Sequence, residues 1–180
     1  MDPDLAAQLV AVLLAATAVA SIAGWATYGK SIWPPIALLL LAVTAVLAAV
    51  PEDIDTADRR LATLVVALAG VIAVAGGGPA TTWVFGFVDK GEPAADSMEQ
   101  AATVLRGGAW IGALERLAVF AGLAAGFPEG VAVVLALKSV GRFPELRGGP
   151  GGTTERFIIG TFTSVLWAAG AAGLVALTLR

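Results

Sequence analysis

Glu115, Arg116, Lys138, Ser139 and Arg142 are the residues whose types and spacing invite chemistry, because they fall inside or at the edge of otherwise apolar runs. Ionisable groups in such stretches are costly, so they pair with one another or face protein or water, and they tend to mark a site. A turn signal, Phe127-Pro128-Glu129-Gly130, separates two apolar arms at 107–126 and 131–140. Glu115 lies twelve residues before Phe127 and Lys138 eleven after it. At ~1.5 Å rise per residue the two side chains reach nearly the same depth and can form an ion pair. Arg116 and Arg142 fall near that level or one turn beyond it, which sets three cations against one carboxylate. Excess positive charge in a partly dry site calls for an anion, and the arginine fork suits phosphate or carboxylate. The competing account is structural: the pair locks the hairpin while the arginines snorkel to anionic lipid headgroups. Glu115 beside a lysine is held ionised, which argues against an easy proton cycle.

Other chemistry is excluded by what the chain lacks. Its 180 residues contain no Cys and no His. That removes disulfides, thiolate nucleophiles, Ser-His triads, imidazole haem ligation and the usual zinc sites. No nucleophile, metal cluster or paired carboxylates come together, so no catalytic residue, metal or cofactor is assigned and an enzyme is the less favoured reading. The formal net charge of −3 gives no reason to expect nucleic acid as a partner.

The elements that must position these residues are apolar helices. Hydrophobic residues make up 58% of the chain and charged ones 14%, with a mean hydropathy of +0.85, and the charges collect in short stretches between long apolar runs. This is the pattern of an all-α, polytopic membrane bundle. About 20 apolar residues cross a bilayer, and 5–26, 33–50, 61–77 and 157–179 meet or approach that length. The first run has Asp2 and Asp4 before it rather than a basic region, so it reads as a retained span and not a secretory leader. With the arms at 107–126 and 131–140 the expectation is about six transmembrane segments, the shorter arm being short enough to be re-entrant.

Trp25, Tyr28 and Trp33 sit at span ends, where aromatic side chains settle at headgroup level. The third run meets Gly76-Gly77-Gly78-Pro79 and resumes as Trp83-Val84-Phe85. Broken helices at membrane depth line transport sites, but glycine followed by proline is an ordinary stop. The expectation is therefore that the helix ends at the glycines, with the aromatic piece at the interface. The polar stretch 89–106, carrying Glu92, Asp96 and Glu99, allows a short surface helix, and 148–152 reads as a flexible linker. On the last helix Thr161 and Ser164 make a polar stripe and Trp167 lies near the middle. All three read more readily as packing than as chemistry. The chain is one membrane domain: an apolar three-helix scaffold over 1–88, then a charged hairpin plus final helix over 107–180. Lys and Arg bias places Lys30, Lys90, Arg106, Arg142, Arg147 and Arg156 on the cytoplasmic side and both termini outside.

The runs Trp110-Ile111-Gly112-Ala113-Leu114-Glu115-Arg116, Leu137-Lys138-Ser139-Val140-Gly141-Arg142-Phe143 and Glu155-Arg156-Phe157-Ile158-Ile159-Gly160-Thr161 together resemble a family of bacterial integral membrane proteins. That family pairs an IG-LER arm with an AKS-RF arm and a closing helix. The resemblance covers roughly the last 75 residues. Arg156-Phe157 stands where the family favours Glu-Tyr, and Leu137 where it favours Ala. The family has no assigned activity, so the resemblance implies only that Glu115, Arg116, Lys138 and Arg142 act as a unit.

The function expected from these readings is binding or transport of an anionic, phosphate-bearing or lipidic, ligand in the cell membrane, through Glu115, Arg116, Lys138, Ser139 and Arg142. Its partners are membrane lipids with anionic headgroups. Alternatives are a non-catalytic subunit or assembly factor of a larger membrane complex, or a homo-oligomer, using glycine faces such as Gly122/Gly126 for contact, and a lipid-headgroup enzyme.

Overall fold

The computed structural model describes residues 3–26, 30–49, 59–88, 108–148 and 153–179. Tyr28, residues 50–58, the expected surface helix within 89–106 and most of the expected linker at 148–152 lie outside the described residues. Six α-helices account for almost all of the described chain: α1 (Pro3–Ala23), α2 (Trp33–Ala49), α3 (Arg59–Val88), α4 (Gly108–Ala124), α5 (Glu129–Gly148) and α6 (Thr153–Thr178). No strand occurs among the described residues. The all-helical expectation holds.

Within α1, α3 and α6, stretches of 19, 30 and 25 residues are long and apolar enough to cross a bilayer. α2 is as apolar but has 17 residues, about 26 Å of helix at ~1.5 Å per residue, slightly less than a ~30 Å hydrocarbon core. Large apolar side chains point outward along these helices, with Leu39, Val46 and Leu166 each more than 60% exposed. Such faces suit lipid and not water.

The core is built from small residues. α3 and α6 share the most extensive interface, with α1, α2 and α4 packed around them. Ala69, Ala73, Ala168 and Ala171 are fully buried there beside Ile72 and Leu174. Apolar side chains gain little by leaving lipid for protein, so close backbone approach through alanine and glycine is what holds such helices together. Most buried threonines need no outside partner: the hydroxyls of Thr17, Thr44 and Thr178 donate to carbonyls four residues back in their own helices.

The hairpin turn forms where the sequence places it. Gly126 adopts φ +74°, the left-handed conformation that glycine takes without penalty. Phe127 N donates to Gly122 O at 2.8 Å and Gly126 N to Leu123 O at 3.1 Å, the bond pattern of a Schellman cap. Pro128 follows, and α5 starts at Glu129 with its carboxylate in the first turn. The second arm is longer than its apolar stretch suggests: α5 has 20 residues and continues past Gly141 to Gly148. α5 packs against α4 and has no comparable interface with another helix among the described residues.

The largest departure from expectation is in α3. The helix does not end at Gly76-Gly77-Gly78-Pro79, nor is it broken there; it is continuous over 30 residues with Pro79 inside it. A proline in a helix leaves the carbonyl four residues earlier without its donor. That carbonyl belongs to Ala75, and the indole Nε1 of Trp25 donates to it at 2.8 Å. Trp25 is brought there by the close of α1, where Trp25 N bonds Ile22 O and Ala26 N bonds Ala23 O, tightening the chain into i to i−3 turns. Gly24 lies so near Pro79 that a Cβ on it would stand 2.8 Å from the proline Cβ. Trp25 is thus a structural donor to α3 as well as an aromatic residue at a helix end.

Candidate anion site

Three side chains from three other helices or their ends dock on the glycine segment of α3. Trp25 bonds Ala75 O. Arg116, on α4, donates from Nε to Val74 O at 2.9 Å. Trp167, on α6, donates from Nε1 to Ile72 O at 2.8 Å. The glycines are what let them approach. A Cβ at Gly76 would run into the Trp167 ring, one at Gly77 into the Arg116 side chain, and one at Gly78 would lie 2.7 Å from the Trp25 ring. The run that reads as a helix stop therefore serves as a flat surface for three docked donors.

Arg116 is buried, 6% exposed, and its charge meets backbone carbonyl and hydroxyl dipoles. Besides the bond to Val74 O, its Nη1 reaches Ser164 Oγ on α6 at 3.5 Å. These two contacts employ two of the five N–H groups of a guanidinium. Gly112, one turn before Arg116 on α4, makes room for it, since a Cβ there would stand 3.2 Å from Nη1.

The neighbouring Glu115 points the other way. Lys138 Nζ donates to Glu115 Oε2 across the α4–α5 hairpin, and both side chains are about four-fifths buried. The pairing expected from the turn arithmetic is formed. Removing one partner of such a pair strands a partly buried charge, which costs more than losing the pair as a whole.

Beside Arg116 opens a cavity of about 400 Å³ lined from α3, α4, α5 and α6. Its wall carries Arg116, Lys138, Arg142 and Arg156, together with the hydroxyl-bearing Thr161 and Ser164. No acidic side chain is among the described residues that line it. Arg142 and Arg156 hold contacts of their own within the protein. Thr161 Oγ1 is buried and has no hydrogen-bond partner in the structure, unlike the back-bonded Thr17, Thr44 and Thr178. A buried hydroxyl without a partner is uncommon and asks for an explanation.

Of the five residues singled out in the sequence, Arg116, Lys138 and Arg142 line this cavity. Glu115 lines a second, adjoining groove between α4 and α5. Ser139 lines neither; it is exposed and its hydroxyl donates to Leu135 O, 2.8 Å away on its own helix. Ser139 directly follows Lys138 on α5, and about 100° of helix rotation turns it off the site. Arg156, Thr161, Ser164 and Trp25 are in the lining, although the sequence pattern by itself suggests loop, packing or interface roles for them. A signal for Arg156 was present: Thr153-Thr154-Glu155 starts α6 before the apolar run begins, as polar and acidic residues do at helix starts. Gly78 and Thr81 of α3 form one wall of the cavity.

Compared with protein-family models, curated proteins and solved structures, the chain matches none of them.

Proposed function

We propose that this chain is a multi-pass protein of the cell membrane that binds, and in one version moves, an anionic ligand bearing phosphate or a similar group. One observation carries the reading: four basic side chains and a partnerless buried hydroxyl converge on one cavity whose described lining holds no carboxylate. A tetrahedral oxyanion fits such a wall, because arginine offers paired N–H groups and Thr161 a single O–H. Arg116 is held in place by Val74 O and Ser164 before any ligand arrives, so its positioning costs nothing at binding. In this reading all six helices lie in the bilayer, with the loops rich in Lys and Arg on the cytoplasmic side.

The test is equilibrium binding of inorganic phosphate to the purified full chain, followed by titration calorimetry. Saturable binding is expected, with affinity about tenfold lower or worse, ~1.4 kcal/mol, in Arg142→Gln and in Arg156→Gln. Both variants are preferred to Arg116→Gln, which also removes a structural bond to α3. Absence of binding by the unaltered chain, or unchanged affinity in both variants, rejects the proposal.

A further inference from the structure

The cavity has an apolar neighbour. Between α4 and α5 runs a groove of about 440 Å³ walled by Ile111, Leu114, Ala118, Val134 and Leu137. The two spaces share Gly108, Gly112, Lys138 and Arg142 as common lining, so they meet at the edge of the hairpin. Two of those four residues have no side chain, and the other two carry positive charge. Gly141 lines the groove as well, and a Cβ on it would meet nothing within 4 Å. At the groove rim Leu114 is 62% and Leu137 69% exposed.

Polar cationic cavity, glycine-lined opening and apolar groove, in that order, match a molecule with a charged head and a hydrocarbon tail. The geometry points to a membrane lipid with an anionic phosphate head as the ligand, its head among Arg116, Arg142 and Arg156 and its tail along the α4–α5 groove. This rests on the anion-binding reading above and specifies it. Charge complementarity selects the anionic head, and continuity of the groove with the cavity selects an attached chain over free phosphate. Lys138 stands at the junction, holding Glu115 on the groove side so that the carboxylate is neutralised where the ester linkage passes. Hydrophobic transfer contributes little to this binding, because the tail leaves one apolar medium for another. The groove's role is to let the head reach the cavity sideways while the tail stays out of water.

The experiment uses the full chain in phosphatidylcholine nanodiscs and dodecyl phosphate bearing a diazirine on its chain. Photolabelling is expected to concentrate on residues 108–142, to fall with excess unlabelled dodecyl phosphate, and to resist the same excess of dodecanol. Gly141→Leu fills the groove at a position with open space and favours the helix, so it should fold. It is expected to cut labelling about tenfold while inorganic phosphate affinity stays within about twofold. Labelling spread evenly over all helices, or Gly141→Leu labelling like the unaltered chain while inorganic phosphate still binds, overturns the lipid assignment and leaves the anion site standing. If neither inorganic phosphate nor dodecyl phosphate engages the unaltered chain, both proposals fall.

Discussion

The glycine segment of α3 and the helix α5 make an instructive pair. The first reads as the weakest point of a helix, three glycines and a proline in a row, yet it is buried and receives side-chain hydrogen bonds from Trp25, Arg116 and Trp167. The second carries Lys138 and its ion pair, yet it packs on α4 alone among the described interfaces of any size. Missing side chains allowed neighbours to close in on one helix. The Glu115–Lys138 pair ties the other to α4 alone, at the edge of the bundle. In a bilayer, where apolar side chains gain little from each other, the tightness of an element follows how closely its backbone can be approached.

The strongest way to break this contrast is to give the glycine surface a side chain. Gly77→Leu collides with Arg116 and is expected to destabilise the bundle by about 3 kcal/mol, the upper range for overpacking. The check is recovery of monodisperse protein after a heating series in detergent. Gly141→Ala and Gly141→Leu, made where space is open, should leave that recovery unchanged or raised.

A smaller effect isolates the proline. Trp25→Phe leaves Ala75 O without a donor and is expected to cost about 1–2 kcal/mol. Adding Pro79→Ala restores a backbone N–H four residues on, so the double variant should regain much of that loss. Purely additive melting shifts would show that the indole is not standing in for the missing amide.

The comparison is sharpened at the other end by the ion pair. Glu115→Gln and Lys138→Gln are each expected to lower stability by about 1 kcal/mol, and the double variant by less than either. A double variant worse than both singles would mean that the pair holds α5 more firmly than its single interface implies. Smallest of all is Ser139→Ala, expected to change stability by less than about 0.5 kcal/mol and phosphate binding not at all, since the hydroxyl is exposed and bonded within its own helix.

What could be read from the sequence was local. The α4–α5 turn, the depth match of Glu115 with Lys138 and the helical class follow from spacing over a single hairpin and from composition. What escaped was the set of contacts that join distant parts of the chain. The three donors to α3 come from 50, 42 and 95 residues away from the carbonyls they bond. Stop signals describe what a glycine-proline run does by itself; they carry no information on an indole arriving from another helix. Thr161 and Ser164 were visible as a stripe, but only the packing of α6 against α3 and α4 turns that stripe toward a cavity.

The proline in α3 also bears on the order in which the helices assemble. As the chain is made from its amino end, Ile72 O and Val74 O can bond within α3 as it forms, whereas Ala75 O has lost its amide to Pro79. An unmatched carbonyl in hydrocarbon costs several kcal/mol. Its substitute donor is Trp25, and Trp25 has already been synthesised by then; Arg116 and Trp167 have not. Of the three carbonyls that accept these donors, the one that would wait unsatisfied in the membrane is served by the docking residue that comes first, so α1 and α3 can close on each other before α4, α5 and α6 exist.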